Sequence, residues 1–191
     1  MPLLETHPFP PYLPQGAKVL IMGTFPPQPK RWAMEFYYPN RTNDFWRIIG
    51  LLIYGDRDAL YNPTTRQFRL ELIKETLDRT GIALHDTGRE VERLKDNASD
   101  KFLNIVTPVP LWDILAQIPE CHTIATTGEK AAQVIADLTG TEPPRMGHYT
   151  DDAAHGLKLW RMPSTSRAYP LALEKKAEYY AMLLRDAGII K

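Results

Sequence analysis

Two asparagines and a group of aromatic side chains lie together in the segment 36–46, FYYPNRTNDFW. An asparagine amide can bind the polar edge of a flat ring, and a tyrosine can stack on its face. Asn43, Asn40, Tyr37 and Tyr38 are therefore candidate pocket residues. Asn43 can equally be the N-cap of the helix that follows. The segment predicts either the wall of a binding pocket or a loop held against the core.

The aromatic side chains of this segment fall into two groups. Phe45 and Trp46 begin the apolar face of a helix and are predicted core residues. Tyr37 and Tyr38 precede that helix, where periodicity gives no reason for two large rings to be buried. We therefore interpret one of these two tyrosines as a ring on which a planar ligand stacks.

Four further segments each follow an apolar run that is typical of a buried strand. Ligands of open parallel sheets bind beyond the carboxyl ends of the strands, so these segments are expected to border a site. They are GTFPP (23–27), HDTGR (85–89), TTGEK (126–130) and MPSTSRA (162–168). GTFPP lacks the glycine spacing and the lysine of a phosphate loop. Gly23 permits close approach of the backbone, and a rigid corner is the alternative interpretation.

Polar side chains in two of these segments suggest specific contacts. Asp86 ends a buried run, and a buried carboxylate needs a donor, which can be a backbone amide or a ligand N–H. MPSTSRA can bind phosphate oxygens at a helix entrance, although a hydroxyl-capped turn explains the same residues. Its candidate residues are Ser164, Thr165, Ser166 and Arg167. A metal site at 148–155 is not predicted, because the spacing of His148, Asp151, Asp152 and His155 matches no ligand pattern.

Strand and helix patterns alternate along the chain and predict βαβ units. Apolar runs at Lys18–Gly23, Gly81–Asp86, His122–Gly128 and Leu157–Pro163 indicate strands of a largely parallel sheet, covered on both faces. Helices are expected in 43–54, 64–80, 110–118, 129–139 and 170–187. Residues 1–17 form a proline-rich extension that is expected to pack on a single domain of residues 18–191.

Composition narrows the class of protein. The chain has 191 residues, a formal net charge of +0 and one cysteine, Cys121, which excludes an internal disulfide and a cluster held by four thiolates. The neutral charge means that nucleic acid would have to bind to a local basic patch. No early apolar run has the length of a signal peptide or a membrane span, so the expected location is cytoplasmic.

Taken in order, the motifs resemble those of the uracil-DNA glycosylase superfamily, and most of all the hypoxanthine-DNA (deoxyinosine) glycosylase branch. That branch has a Gly-Ser-Phe-Pro motif, a Tyr-Tyr…Asn-x-Phe-Trp motif and a Pro-Ser-Thr-Ser motif in this order. The segments that carry the resemblance are VLIMGTFPP, YYPNRTNDFW, GIALHD, TTGEKA and PSTSRAYPLALEKK. The resemblance implies a three-layer α/β/α sandwich on a four-stranded parallel sheet.

The resemblance also implies roles for individual residues in removing a base that is flipped out of DNA. By position, Tyr38 stacks on the extruded base and Asp86 accepts its ring N–H, which is N1–H of hypoxanthine or N3–H of uracil. Gly23, Thr24 and Phe25 border the base, and Ser164–Arg167 grip the DNA backbone. The partner implied is DNA that contains a deaminated base, bound by a monomer without a metal or other cofactor.

Two positions depart from the superfamily pattern. Many members carry a water-activating Asp or Asn where this chain has Thr24 and Phe25, and several carry a catalytic His where it has Met162. Asn43, with Asn40 second, then matches the asparagine on which the hypoxanthine branch relies. An amide orients water but is a weak base, so such a mechanism requires a good leaving group.

Three functions are compatible with these residues. The first is a monofunctional DNA glycosylase that hydrolyses the N-glycosidic bond of hypoxanthine or uracil. The second is a catalytically inactive DNA-binding relative, which Phe25 and Met162 favour. The third is an N-glycosidase of free nucleotides, which the neutral charge favours. Basic residues gathered at the pocket rim would argue against the third, and the candidates are Lys30, Arg31, Arg41, Arg47 and Arg167.

Overall fold

The computed structural model describes residues 1–95 and 99–191. Its strands, numbered along the chain, are β1 (Leu4–Thr6), β2 (Val19–Gly23), β3 (Tyr61–Asn62), β4 (Gln67–Phe68), β5 (Ile82–Asp86), β6 (Gly88–Arg93), β7 (Leu103–Pro108), β8 (Thr123–Thr127), β9 (Tyr149–Asp152) and β10 (Leu157–Met162). The central sheet has the order β5-β2-β8-β10-β9. Its parallel strands are the four apolar runs identified in the sequence, so these four predictions are confirmed.

The predicted four-stranded parallel sheet is wrong in strand number and direction. The central sheet has five strands and is mixed, because β9 pairs antiparallel with β10. Gly147 and Gly156 flank the residues of β9, and the sequence therefore predicts a loop there. Three of the four are at least partly exposed. An edge strand that faces solvent does not show the apolar pattern on which strand prediction depends.

Helices cover both faces of the central sheet. They are α1 (Phe45–Tyr54), α2 (Leu70–Thr80), α3 (Leu111–Gln117), α4 (Glu129–Thr139) and α5 (Leu173–Asp186). The side chains of α1, α2 and α5 share one buried cluster with Ile21 and Leu84 of the sheet. Those of α3 and α4 share a second cluster with Leu20 and Ile124. Each central strand therefore buries alternate side chains on opposite faces.

A second sheet and a hairpin were not expected from the sequence. The second sheet has the order β1-β6-β7, in which β1 from the N-terminal segment pairs antiparallel with β6. The hairpin joins β3 to β4, and β4 lies within the region 64–80 that the sequence assigns to a longer second helix. Within the described part of the chain, no helix is both long and apolar enough to cross a membrane.

Candidate functional site

The carboxyl ends of three neighbouring strands bring polar groups together around Gly23. Gly23 of β2 is paired in register with Asp86 of β5. A Cβ atom on Gly23 would lie 2.9 Å from Asp86 Oδ1, 3.3 Å from Thr127 Oγ1 and 3.4 Å from the Tyr38 hydroxyl. The absence of a side chain at Gly23 is what allows the three groups to converge. We call this group of four residues the strand-end niche.

Tyr38, one of the four niche residues, is partly exposed and has an unusual backbone conformation. Its φ of 52° lies in the left-handed region, which few non-glycine residues adopt. One face of its ring stacks on Phe45, with 3.9 Å between ring centroids and 15° between planes. Burial, and then the nearby carboxylate of Asp86, raise the pKa of Tyr38, so its hydroxyl remains protonated. Tyr38 therefore offers a fixed ring and a hydrogen-bond donor.

The ring of Tyr37 is buried and is therefore not free to stack on a ligand. It is only 2% exposed, and its hydroxyl lies 2.8 Å from the Pro10 carbonyl oxygen and 2.7 Å from His85 Nδ1. The N-terminal segment and β5 thus supply the partners that bury this ring, and neither is visible from the periodicity of the helix. Of the two tyrosines, Tyr38 is the one at the niche.

Asp86 is held by a histidine from the N-terminal segment. His7 Nε2 lies 2.7 Å from Asp86 Oδ2, and both side chains are almost completely buried, at 5% and 7% exposure. Within residues 1–95 and 99–191, the other carboxylate oxygen, Oδ1, has no hydrogen-bond partner. His7 therefore supplies, at Oδ2, the donor that this buried carboxylate requires. The other oxygen, Oδ1, remains directed at the niche.

Thr24 and Phe25 have contacts other than those expected of base-binding side chains. The Thr24 hydroxyl donates to Asp100 Oδ2 at 2.9 Å. Burial raises the pKa of Asp100, and Lys130 donates to its backbone carbonyl at 2.9 Å. The Phe25 ring packs edge-on against the His7 ring, with centroids 5.3 Å apart. Their predicted contact with a ligand stays a prediction.

Asn43 and Asn40 each form a local turn. Asn43 Oδ1 accepts the backbone N–H of Phe45 at 3.0 Å, next to the start of α1. Because a backbone N–H donates to the amide oxygen and not to the amide NH2 group, this bond assigns the orientation of the Asn43 amide. Asn40 Oδ1 accepts the backbone N–H and the hydroxyl of Thr42. The N-cap of α1 is Asp44, which makes no side-chain capping bond, so the bond of Asn43 is that of an Asx turn one residue before the cap. The Nδ2 of Asn43 has no hydrogen-bond partner among the described residues and can bind another group.

The Asn43 loop is joined to the loop 163–169. The Asp44 backbone N–H donates to the Thr165 carbonyl at 2.8 Å, and Asn43 forms a bridge with Ser166. Lys176 of α5 donates to Asp44 Oδ2 at 3.1 Å and to the Ser166 carbonyl at 2.9 Å. We call the joined loops, with Lys176, the loop clamp. It holds the two sequence motifs in one fixed arrangement.

The predicted DNA-binding residues of this loop differ in exposure. The Arg167 side chain is 50% exposed, and its Nε lies 3.4 Å from Asp44 Oδ1. Ser166 is exposed and Ser164 is partly exposed. Thr165 is 3% exposed. Contact with a phosphate through its hydroxyl would require the loop to move.

Two other groups singled out in the sequence have structural roles. Arg47 is 8% exposed, donates to the carbonyls of Arg41 and Asn43, and so is not a rim cation. His155 Nδ1 lies 2.6 Å from Asp152 Oδ2 within one turn. Among residues 1–95 and 99–191, no group of three or more His, Cys, Asp or Glu side chains could hold a metal ion.

Four residues at or near the site were missed by sequence reasoning: His7, Asp100, Thr127 and Lys176. Lys176 had a signal, since it lies on the apolar face of α5, three residues after Leu173 and four before Tyr180. Thr127 lies in the TTGEK segment but was not named. His7 and Asp100 carry no local signal, because their partners are distant in sequence.

The fold places the protein in a class first: it is an α/β protein with a fold similar to that of a uracil DNA glycosylase-like structure. Over 97% of its length the chain matches a solution NMR structure of a Methanosarcina acetivorans protein proposed to be a uracil DNA glycosylase. The match has a TM-score of 0.68 and 21% identity, and covers 99% of that protein.

In sequence, the chain is similar to a particular protein, the hypoxanthine DNA glycosylase of Methanosarcina barkeri. The two are 31% identical over 101 residues, which are 49% of this chain and 58% of the relative. No family model matches the chain. The resemblance to the uracil-DNA glycosylase superfamily and its hypoxanthine branch is confirmed by these two similarities.

Proposed function

We propose that this chain is a monofunctional DNA glycosylase that removes a deaminated base, hypoxanthine or uracil, from DNA. The observation that carries the proposal is the strand-end niche, where an acceptor of Asp86 and the hydroxyls of Tyr38 and Thr127 meet around Gly23. The sequence similarity to a hypoxanthine DNA glycosylase supports the same reaction.

The niche has the hydrogen-bonding pattern that a deaminated base requires. A carboxylate oxygen of Asp86 is an acceptor, so it matches N1–H of hypoxanthine or N3–H of uracil. Adenine and cytosine carry an unprotonated ring nitrogen at these positions and would face the carboxylate with a second acceptor. The hydroxyls of Tyr38 and Thr127 can donate to the carbonyl oxygen next to that N–H. The niche therefore favours the deaminated base over its parent.

Catalysis would depend on positioning and on the leaving group. In the proposed reaction the bond from C1′ to the base nitrogen breaks, the electron pair leaves with the base, and water adds to C1′. The Asn43 amide, fixed by its bond to the Phe45 N–H, orients that water, which then loses a proton to solvent or to the departing base. No lysine is used as a nucleophile, so no strand cleavage is expected.

The experiment that tests this uses end-labelled duplexes, each with one hypoxanthine, uracil, xanthine or mismatched thymine. Alkali-cleavable sites are expected with hypoxanthine or uracil. Asn43→Ala should lower the single-turnover rate by about 100-fold, because the amide that positions water is lost. Asp56→Ala is the matched control, since Asp56 forms a similar turn with the Asp58 N–H at the opposite end of α1. Equal rates for Asn43→Ala and wild type would contradict the role of Asn43.

A second candidate is a DNA-binding relative that has lost catalysis. Met162, at the position of the catalytic histidine of several superfamily members, is completely buried. Thr24 is engaged with Asp100, so the first motif also offers no base for water. This candidate predicts salt-sensitive binding to all the duplexes and base release from none. Release of hypoxanthine from free deoxyinosine monophosphate, but not from a duplex, would favour a nucleotide hydrolase over both.

A further inference from the structure

The N-terminal segment brings His7 against Asp86 of the strand-end niche and fixes the imidazole ring there. The backbone N–H of His7 donates to the Arg89 carbonyl at 2.8 Å, directly after β1 pairs with β6. The ring lies 4.7 Å from the His85 ring and 5.9 Å from the Tyr37 ring, centroid to centroid. His7 is thus held both by its backbone and by its neighbours.

The hydrogen bond from His7 to Asp86 does not depend on the charge of the imidazole. In the neutral tautomer that carries its proton on Nε2, Nδ1 accepts the Phe9 N–H at 3.1 Å and Nε2 donates to Asp86. In the charged ring, Nδ1 donates to the Phe9 carbonyl at 2.9 Å and Nε2 still donates to Asp86. Asp86 Oδ2 therefore has a donor in both states, 2.7 Å away.

This bond makes the two oxygens of Asp86 unequal. Oδ1 lies at the niche beside Thr127 and Tyr38, and Oδ2 already has a donor. A free carboxylate presents two oxygens and pairs well with two adjacent donors. Guanine has such a pair, N1–H and the 2-amino group. Hypoxanthine has N1–H alone on that edge, and uracil has N3–H between two carbonyls.

We infer that His7 is a specificity-determining residue that makes Asp86 a reader of a single ring N–H and so disfavours guanine. The inference rests on the proposed function, because it assigns Asp86 to the base. With the carbonyl O6 placed at Tyr38 and Thr127, the 2-amino group of guanine comes to the side of Oδ2, where it competes with the donor of His7. Hypoxanthine, which has only a C–H at that position, meets no such competition.

The test compares the binding of two uncleavable duplexes. Each carries a 2′-fluoro nucleotide, with hypoxanthine in one and guanine in the other, placed opposite an abasic-site analogue. Fluorine at C2′ slows cleavage, because it destabilises positive charge on the sugar. The abasic partner removes the difference in base-pairing energy between the two bases. The ratio of the two Kd values, from fluorescence anisotropy, then reports recognition in the niche.

The wild type should bind the hypoxanthine duplex about tenfold more tightly than the guanine duplex, the cost of one competed hydrogen bond. His7→Ala, which frees Oδ2, should bring the ratio close to one. His7→Gln is the matched variant, since its amide N–H can replace Nε2–H and should keep the preference. If His7→Ala weakens both duplexes equally, His7 has only a structural role and the inference is wrong.

Hypoxanthine release, measured on ordinary duplexes with the same preparations, separates the two hypotheses. Release by the wild type with a Kd ratio that His7→Ala does not change overturns the inference and leaves the proposed function intact. A ratio that responds to His7→Ala without release from any duplex supports the inference and overturns the proposed enzymatic activity. A wild-type ratio close to one overturns the inference whether or not release occurs.

Discussion

At the scale of single residues, burial determines the charge of His85, which precedes Asp86 of the niche. His85 is 7% exposed, and its Nδ1 lies 2.7 Å from the Tyr37 hydroxyl. Burial and then the nearby His7 lower the pKa of His85 to about 4, and Asp86 opposes this shift. His85 is therefore neutral in the folded protein at neutral pH, next to the carboxylate that faces the niche.

The low pKa of His85 predicts a loss of stability in mild acid. Between its ordinary pKa of 6.5 and the folded value of about 4, the unfolded chain binds a proton that the folded chain does not. The free energy of unfolding should then fall as the pH drops through this window, by up to about 1.4 kcal/mol per pH unit. Urea unfolding of wild type and His85→Asn at pH 7 and pH 4.5 measures this contribution. An equal pH dependence in the two proteins would show that His85 does not cause it.

At the scale of structural elements, the loop clamp joins the start of α1 to the loop before α5. The Lys176 and Asp44 side chains, 1% and 7% exposed, form its ion pair across 3.1 Å. Removing one partner of a buried pair leaves an uncompensated charge, which costs more than the pair itself contributes. The clamp should therefore be sensitive to single substitutions and tolerant of a paired one.

We expect Lys176→Met to lower the free energy of unfolding by about 3–5 kcal/mol, measured by urea denaturation. Asp44→Asn in the Lys176→Met background should restore part of that loss, because it removes a buried carboxylate whose remaining partner is the half-exposed Arg167. An Asp44→Asn, Lys176→Met protein whose loss equals the sum of the two single losses would contradict coupling between these side chains. Arg57→Met is a control, since Arg57 and Glu174 form an exposed pair.

The elements also show what the sequence could predict. The four buried strands and the stop of α2 at Gly81, whose φ is +78°, follow from apolar runs and from glycine's backbone freedom. The sheet β1-β6-β7 does not, because most of its residues are at least partly exposed and the sequences of its strands do not alternate strictly between apolar and polar residues. Asn43 and Asp86 were found as motif positions. His7 was not, since its partner is 79 residues away and nothing in a proline-rich segment indicates that contact.

At the scale of the whole molecule, a protein with a formal net charge of +0 is proposed to bind a polyanion. Its attraction to DNA must then be local. Arg167 and Arg41 are exposed beside the loop clamp, with Arg167 Nη2 3.5 Å from the Arg41 carbonyl. Arg66 lies next to them, since its carbonyl accepts Arg41 Nε at 2.8 Å. These three cations form a small basic patch next to the site.

The basic patch predicts a modest salt dependence of DNA binding. Arg167→Gln should weaken binding to every duplex by a similar factor and reduce the slope of log K against log salt by about 1. Anisotropy titrations between low and physiological salt measure that slope. Arg185→Gln, near the far end of α5, is the matched charge control and should leave the slope unchanged. A slope that Arg185→Gln changes as much as Arg167→Gln would place the DNA elsewhere.

Because the loop clamp joins residues that are far apart in sequence, the parts of the site are made at different times during synthesis. Asp44 and Lys176 are 132 residues apart, and α5 is the last helix of the described chain. During synthesis the niche residues Gly23, Tyr38 and Asp86 leave the ribosome well before Lys176 does. A nascent chain therefore carries the niche residues before Lys176 can hold the Asn43 loop in place. The site becomes complete only after Lys176 has been made.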